Sequence, residues 1–297
     1  MICQFQRTIK KEAEIKGIGL HTGEETSIKL IPAKENEGIN FIKNGKIIPA
    51  RIEYAKRFDY STSLSKDGEV INTIEHLLAA LYFTGIDNIY IELNGSEIPI
   101  LDGSAYPFVK AIKEAGIKSF TEEKIYAVIN KEIIVKEDDK YIEGKPYDNF
   151  KATYHAVYNN SVIGNKKFTY IPTNKDSFLN VYKARTYCFF EEVEYLKKLG
   201  LAKGGSLENA VVFKDNRILN PEGLRFEDEP VRHKLLDLIG DLYLLGNPLI
   251  GEIYSYKGGH KLNAEFVRKL KEEDAITYKY ASEILEKIGV NNLTFVE

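Results

Sequence analysis

The chain contains the segment Pro230-Val-Arg-His-Lys-Leu-Leu-Asp-Leu-Ile-Gly-Asp241, which predicts a long amphipathic helix. Proline suits the first helical position, and Gly246 and Pro248 are stop signals, so we expect the helix to end near Leu245. Its apolar residues recur at helical spacing and form a stripe that faces the core: Leu235, Leu238, Ile239 and Leu242. The other side of the helix carries a largely polar set of residues: His233, Asp237, Gly240, Asp241 and Leu244.

His233 and Asp237 are four residues apart, which places an imidazole and a carboxylate on one face of this helix, one turn apart. The two side chains can reach one metal ion, but an ordinary His–Asp pair explains the spacing equally well. Asp241 lies about 12 Å from His233 along the helix axis, which favours a supporting role rather than a place among the ligands. Gly240 lowers the stability of the helix by about 1 kcal/mol relative to alanine. A gap beside the polar residues would be one reason for a glycine at this position.

A second helix is predicted over residues 73–84, from the N-cap preference of Asn72 to the stop signal at Gly85. It is apolar on two faces, which is typical of a helix buried between layers. His76 lies on one of these faces and needs a polar partner there. Simpler explanations stay open, because Asn72 and Glu75 have the spacing of a capping box and His76 could be a hydrogen-bonded core histidine.

Together the two helices offer a three-residue ligand set for a catalytic zinc ion: His76, His233 and Asp237. Glu75 directly precedes the first of these residues and could act there as a base. A further histidine, His260, follows two glycines just before a predicted helix, and a histidine on such a loop suits proton transfer. Taken alone, His260 is better explained as a surface residue in a turn.

The bulk composition is that of an ordinary globular protein. Of the 297 residues, 43% are hydrophobic and 29% are charged, and the net charge of −3 gives no global bias toward nucleic acid. Cys3 and Cys188 match neither a disulfide framework nor a cysteine-based zinc motif. We find no apolar signal core and no apolar run of membrane-spanning length. We therefore expect a cytoplasmic protein with no nucleic-acid partner and no transmembrane segment.

The order of the predicted elements suggests two α+β domains, residues 1–122 and 123–297, because strands followed by helices occur twice. Strands are predicted at residues 26–32, 39–42, 51–54, 88–93, 126–135, 141–143, 152–157 and 167–171. Besides the two helices above, helices are predicted within 103–116 and over 189–199, 263–272 and 278–288.

Other patterns in the chain indicate no function by themselves. Residues 16–23 are rich in glycine but lack the ending of a phosphate-binding P-loop, and no parallel-sheet context suggests a dinucleotide site. His21 and His155 have no companion ligands, so we expect structural roles for both. The nucleophile elbow of serine hydrolases and the His-Glu-x-x-His motif of zinc proteases are both missing from the sequence.

Several segments of the chain, in this order, resemble the zinc-dependent UDP-3-O-acyl-N-acetylglucosamine deacetylases of lipid A synthesis. Any one segment is modest support, whereas the whole set is highly specific and covers essentially the entire chain. The segments are Gly17-Ile-Gly-Leu-His-Thr-Gly23, Thr73-Ile-Glu-His-Leu77, Glu97-Ile-Pro-Ile-Leu-Asp-Gly-Ser-Ala105, Ala184-Arg-Thr186, Gly223-Leu-Arg-Phe-Glu-Asp-Glu229, Arg232-His-Lys-Leu-Leu-Asp237, Gly240-Asp241 and Gly259-His260.

The resemblance implies two similar α+β domains, with helices sandwiched between β-sheets and the active site at the domain interface. It implies that His76, His233 and Asp237 bind zinc, which is the same set that the helix geometry suggested. Glu75 would be the general base and His260 the general acid. The sequence and the resemblance thus converge on one site.

The resemblance also implies roles for residues around this centre. Asp241 would orient the general acid, Thr186 would help to stabilise the oxyanion, and Lys234 would face the charged portion of the substrate. Residues 187–212 match an insert that forms an apolar passage for the acyl chain.

Within that insert, Tyr187 and Phe189 would contact the substrate. Tyr187-Cys188 stands where the family pattern has an aromatic residue followed by a small one such as glycine. This departure concerns the preferred acyl chain rather than the chemistry of the metal centre.

The implied reaction is hydrolysis of the substrate's N-acetyl group, which gives acetate and the free 2-amino sugar nucleotide. Zn²⁺ lowers the pKa of bound water toward about 7, and Fe²⁺ suits the same ligands. The implied partner is a small-molecule substrate, an acylated UDP-N-acetylglucosamine, and we expect the protein to be a monomer.

Two other functional classes stay open on the sequence. One is a metal-free acid–base enzyme, such as a dehydratase, that would use Glu75 and His260. The other is a non-catalytic sugar-nucleotide or lipid-binding module with a structural zinc ion, which would require a closed site with four ligands. An aspartate in a three-residue set argues mildly against the binding module, because structural zinc prefers cysteine and histidine.

Overall fold

The computed structural model describes residues 2–159, 162–172 and 175–288. Within these ranges the helices are α1 (Glu75–Thr84), α2 (Tyr106–Ala115), α3 (Lys175–Tyr182), α4 (Phe190–Lys198), α5 (Glu229–Leu242), α6 (His260–Glu272) and α7 (Ala281–Lys287). Two short 3-10 helices lie at Ile52–Tyr54 and Tyr243–Leu245. No helix in the described part of the chain is long and apolar enough to cross a membrane.

The strands divide into those before and those after residue 124. The first group is β1 (Phe5–Ile9), β2 (Ala13–Ile18), β3 (Glu25–Pro32), β4 (Ile39–Lys43), β5 (Lys46–Pro49), β6 (Ala55–Arg57), β7 (Ser63–Lys66), β8 (Glu69–Ile71), β9 (Ile89–Asn94) and β10 (Ile117–Glu123). The second group is β11 (Ile125–Ile129), β12 (Ile133–Glu137), β13 (Lys140–Lys145), β14 (Phe150–Val157), β15 (Asn165–Tyr170), β16 (Tyr187–Phe189), β17 (Val211–Lys214), β18 (Arg217–Ile218), β19 (Leu249–Tyr256) and β20 (Ile276–Tyr280).

Two main sheets enclose a layer of helices. The sheet from the first half has the order β2-β3-β9-β4-β5, and the sheet from the second half is built around β19, which pairs with β11, β13 and β14. Helices α1 and α5 pack on each other in the middle, α2 packs near β2, and α6 packs on β12 and β13. One hydrophobic cluster includes buried side chains of both sheets and of the helices between them. The predicted α+β class, with helices sandwiched between sheets, is confirmed.

Strand β3 illustrates why these sequences form sheets with one buried face. Ile28 and Leu30 alternate with more exposed residues, and both are fully buried in the main hydrophobic cluster. Strand β1 pairs antiparallel with β10, so the first half of the chain begins and ends side by side. The domain boundary between residues 122 and 123 stays a prediction.

Most predicted helices are confirmed with shifts of a few residues at their ends, but some bounds were wrong. The predicted strand 51–54 is largely a 3-10 helix, and the predicted strand 126–135 is divided into β11 and β12 by residues 130–132. The predicted helix 278–288 begins only at Ala281, because the preceding residues pair with β11 as β20. Helix α3 had no predicted counterpart. At residues 278–280, pairing with a distant strand overrides the local preference for helix.

Gly240 sets how closely the two central helices approach. A Cβ atom added at this position would lie 2.2 Å from the main-chain oxygen of Glu75 in α1. The gap that we predicted beside the polar residues of α5 is therefore occupied by the first turn of α1. This close contact brings the acidic and imidazole side chains of both helices to one place.

Candidate metal centre and active site

Three buried side chains converge where α1 crosses α5: His76, His233 and Asp237. One potential ligand atom from each residue lies within 4.8 Å of the other two. Oδ1 of Asp237 is 3.5 Å from Nε2 of His76 and 3.3 Å from Nε2 of His233. This oxygen is buried and has no hydrogen-bond partner among the described residues. A buried carboxylate oxygen that faces two imidazole nitrogens and lacks a donor is what a divalent metal site requires.

His233 has the tautomer and the charge that a metal ligand needs. Its Nδ1 atom lies 3.0 Å from the carbonyl oxygen of Ala184, so this nitrogen donates and Nε2 is left with a lone pair directed toward Asp237. Burial, opposed by the attraction of Asp237, lowers the pKa of His233 to about 3. The imidazole is therefore neutral and available for coordination.

Lys234 lies beside the same carboxylate, on the side of the insert. Its Nζ atom donates to Oδ2 of Asp237 at 2.8 Å and lies 5.9 Å from the centroid of the Tyr187 ring. Burial disfavours the charge on both partners. Even so, the pKa of Lys234 is raised by Asp237, and the pKa of Asp237 is held well below its usual range by His233 and Lys234. The pair keeps the carboxylate ionised.

Glu75 does not cap its own helix. The structure places no side-chain cap at the start of α1, and Asn72 instead bonds Ser63 and the main chain of Ser96. The carboxylate of Glu75 accepts the main-chain N–H of Thr62 at 3.0 Å and is 3% exposed. The capping-box explanation is therefore wrong. Burial raises the pKa of Glu75, which brings this carboxylate closer to the range in which a general base is effective.

His260 is the first residue of α6 and is buried, so the prediction of a histidine on a loop and the alternative of a surface turn were both wrong. Its Nδ1 atom lies 2.8 Å from Oδ2 of Asp241, and its Nε2 atom lies 3.9 Å from Oε1 of Glu75 and 3.9 Å from Oδ2 of Asp237. Burial lowers its pKa, but Asp241 outweighs that effect and raises it to about 9. The protonated imidazole of His260 thus faces the carboxylate of Glu75, whose pKa is raised.

Two residues that the sequence analysis did not identify contact Asp241. The hydroxyl of Thr62 donates to Oδ1 at 2.6 Å, and the amide of Asn263 donates to Oδ2 at 2.8 Å. Asn263 lies one helical turn after His260 in α6, and this spacing was the available signal for it. No such spacing links Thr62 to another site residue, so only the fold brings Thr62 to Asp241.

Glu97 is a third residue whose place the sequence did not reveal. Its fully buried carboxylate accepts the main-chain N–H groups of His21 and Thr22 and the hydroxyl of Thr73. Thr73 has φ of 59°, a strained value for a β-branched residue. Glu97 thereby holds the bend that directs the chain into α1. It belongs to a segment of the family resemblance, which was the available signal.

Thr186 and Tyr187 lie at the junction between the first half of the chain and the insert. The N–H of Thr186 donates to the carbonyl oxygen of Gly103, and its own carbonyl accepts from Val211, both at 2.8 Å. The ring of Tyr187 lies 6.3 Å from that of His233, between centroids. Ala184, two residues before Thr186, accepts the hydrogen bond from Nδ1 of His233 through its main-chain carbonyl. This segment therefore borders the metal centre.

Phe189 lies farther from the metal centre, inside an aromatic cluster of the insert. It packs on Tyr158 and Phe213, and the hydroxyls of Tyr158 and Tyr187 are 2.6 Å apart. The insert, residues 187–212, contains β16, α4 and the start of β17, and β17 continues beyond the insert to pair with β18. Ring contacts connect His233 with Tyr187 and Tyr187 with Phe189.

The remaining histidines, His21 and His155, are not members of the ligand set. His155 is bonded through both ring nitrogens, to Tyr254 and Asn165 at 2.6 Å each, as a structural residue would be. The ring nitrogens of His21 are buried and have no hydrogen-bond partner among the described residues. The expected structural role of His21 therefore stays a prediction.

Comparisons with a family profile and with individual proteins indicate the same family for this chain. A sequence profile described as UDP-3-O-acyl N-acetylglycosamine deacetylase matches residues 6–272. The UDP-3-O-acyl-N-acetylglucosamine deacetylase of Aquifex aeolicus (strain VF5) is 44% identical over 273 residues, which are 92% of this chain and 95% of that protein. The protein of the same name from Hahella chejuensis (strain KCTC 2396) is 44% identical over 288 residues, 94% of this chain and 95% of its own length. The chain belongs to the UDP-3-O-acyl-N-acetylglucosamine deacetylase family.

Proposed function

We propose that this chain hydrolyses the N-acetyl group of a UDP-3-O-acyl-N-acetylglucosamine, an early step of lipid A synthesis. The products are acetate and the UDP-3-O-acyl-glucosamine with a free 2-amino group. One observation carries the proposal: a buried His76–His233–Asp237 set lies directly beside a carboxylate, Glu75, and a protonated imidazole, His260.

The three-residue set would hold Zn²⁺, and the same ligands suit Fe²⁺. When bound, the metal supplies a Lewis acid that activates water and polarises the acetyl carbonyl. The unpartnered Oδ1 of Asp237 and the free Nε2 atom of His233 support this assignment. An open coordination position for substrate agrees with three protein ligands rather than four.

Glu75 would be the general base and His260 the general acid. The carboxylate takes a proton from the attacking water, and its raised pKa makes that transfer easier. His260 holds its Nδ1 proton against Asp241, so the mobile proton is the one on Nε2, which faces the site. This proton passes to the amine as the C–N bond breaks.

Residues at the rim of the site would bind and orient the substrate. The Lys234 ammonium retains donors beyond its bond to Asp237 and would face the charged part of the sugar nucleotide. The hydroxyl of Thr186 would help to stabilise the oxyanion, and the two main-chain bonds of this residue support a fixed position. Tyr187 and Phe189 would contact the acyl chain within the apolar insert.

We also propose that the protein works in the cytoplasm as a monomer. Cys3 and Cys188 are free thiols, which fits a reducing compartment. All the proposed ligands and proton-transfer groups come from one chain, so a second copy is not needed to complete the site.

The proposal is tested by measuring deacetylation of the acylated UDP-N-acetylglucosamine by the purified protein, with metal removed and then restored near stoichiometry. We expect activity to disappear with the metal and to return with zinc. Activity that survives complete metal removal would point to a metal-free acid–base enzyme. No deacetylation in any metal state would favour a binding module.

A further inference from the structure

Thr62 contacts both halves of the proton-transfer machinery. It lies between β6 and β7 and is fully buried. Its main-chain N–H donates to Oε2 of Glu75 at 3.0 Å, and its hydroxyl donates to Oδ1 of Asp241 at 2.6 Å. The same hydroxyl oxygen lies 3.2 Å from Nδ1 of His260. One residue thus links the proposed base with the pair that forms the proposed acid.

The hydrogen bonds of Asp241 show what the hydroxyl contributes. Oδ2 of this carboxylate accepts from His260 and from Asn263, each at 2.8 Å. Among the described side chains, Thr62 is the donor to the other oxygen, Oδ1. With both oxygens bound, the plane of the carboxylate is fixed, and so is the direction of the imidazole that it holds. Loss of the hydroxyl would leave Oδ1 buried and unpaired.

The main chain of Thr62 is itself fixed to the start of α1. Its carbonyl oxygen accepts the N–H of Ile74 at 3.2 Å, next to the bond between its own N–H and Glu75. The hydroxyl therefore reaches Asp241 of α5 from a position that is set by α1. This geometry connects the two helices through hydrogen bonds rather than through packing alone.

We propose that Thr62 is a positioning residue that sets the separation and orientation of the base and the acid, a role that rests on the function proposed above. Its amide holds Glu75 and its hydroxyl holds the Asp241–His260 pair, so the 3.9 Å between Glu75 Oε1 and His260 Nε2 is controlled from both sides. Substrate contacts are made by other residues, so Thr62 acts on turnover and leaves substrate affinity unchanged.

The kinetic test compares Thr62→Val, which keeps the shape and the main-chain amide, with Thr62→Ser, which keeps the hydroxyl. A hydrogen bond to a buried charge supports a loss of about 10- to 100-fold in kcat for Thr62→Val. We expect KM to stay within about twofold and Thr62→Ser to retain most of the turnover. Rates are expressed per metal-loaded site. Should Thr62→Val fail to fold, Thr62→Ala removes the same hydroxyl.

Thr84→Val is the matched control. Thr84 is also buried, and its hydroxyl donates to the carbonyl of Ala80. It lies at the end of α1 that is opposite to Glu75. We expect this variant to melt at a lower temperature with unchanged kcat. Equal kcat losses in Thr62→Val and Thr62→Ser, or a kcat for Thr62→Val equal to that of wild type, would overturn the proposal.

A second measurement needs no substrate and separates this proposal from the proposed function. In the zinc-loaded full chain, the Nδ1 proton of His260 is observed by NMR as a downfield resonance. We expect the resonance in wild type, Thr62→Ser and Thr84→Val, and its broadening or upfield shift in Thr62→Val. An unaltered resonance in Thr62→Val contradicts the positioning role, whereas a wild type that lacks deacetylase activity contradicts only the proposed function.

Discussion

Gly240 of α5 packs directly on the main-chain carbonyl of Glu75 in α1. An added Cβ atom would lie 2.2 Å from that oxygen and 3.0 Å from its carbon. No side chain fits between the two helices at this level, and both atoms belong to rigid backbone. The approach matters for the site because Asp237, one turn earlier on α5, faces His76, the residue after Glu75.

Replacing Gly240 by alanine should force the two helices apart. Alanine is the better helix former, so any loss of stability must come from the clash with the main chain of Glu75. We expect the free energy of unfolding to fall by about 1–3 kcal/mol and zinc affinity to fall with it. Thermal and denaturant unfolding measure the change. Gly259→Ala, where an added Cβ meets nothing within 4 Å, should cost less than about 1 kcal/mol; equal losses in both variants would remove the steric explanation.

The Glu75→Gln variant should bind zinc normally and turn over poorly. The amide has almost the same shape as the carboxylate but cannot take a proton, so the proposed base is lost while the ligands are retained. General-base catalysis contributes about 10²- to 10⁴-fold, and we expect kcat to fall within that range. Metal analysis and steady-state kinetics on the same sample measure both quantities. Full turnover in Glu75→Gln would show that another group accepts the proton.

The basic limb of the pH profile should report His260. Its folded pKa is raised to about 9, so the acid stays protonated below that pH and loses its proton above it. We expect kcat/KM to decline above about pH 9. Asp241→Asn removes the charge that raises this pKa, so the decline should move to lower pH. A profile whose basic limb is the same in wild type and Asp241→Asn would assign it to another group.

Metal binding should depend on both central helices. His76→Ala removes the ligand of α1 and His233→Ala removes a ligand of α5, and each should weaken zinc binding by more than about 100-fold, beyond the usual effect of losing a supporting hydrogen bond. Competition with a chelator measures the affinity. His155→Ala is the control, since this residue bonds Tyr254 and Asn165 and should leave zinc binding intact. Undiminished affinity in either ligand variant would contradict the proposed set.

The buried pair Arg185–Glu229 should be important for stability. Arg185 donates from its main chain and its side chain to Glu229, and the side chains are 3% and 0% exposed. Glu229→Ala leaves a buried guanidinium without its main partner, which typically costs about 3–5 kcal/mol. Glu12→Ala breaks the exposed pair with Lys29 and should change stability by less than about 1 kcal/mol. Unfolding in denaturant compares the two, and equal effects would count against burial as the cause.

Local periodicity explains why much of the site could be predicted. His233 and Asp237 share a face of α5 because four residues span about one helical turn, and the structure brings them within 3.3 Å. The roles of ligand, base and acid stay predictions until the variants above are measured. The error at residues 278–280 arose because this segment pairs as a strand with β11, which is distant in the chain.

The amino-acid sequence by itself determined the α+β class, the resemblance to a deacetylase family, and the helices that carry His76, His233 and Asp237. These features depend on short motifs and on the spacing of residues that are near each other in the chain. Only the tertiary structure decided that α1 meets α5 at Gly240 and that Thr62 contacts Glu75, Asp241 and His260. Asp241 and His260 are 179 and 198 residues from Thr62. No periodicity links positions so far apart, so only the packing of one sheet-and-helix layer on the other brings them into contact.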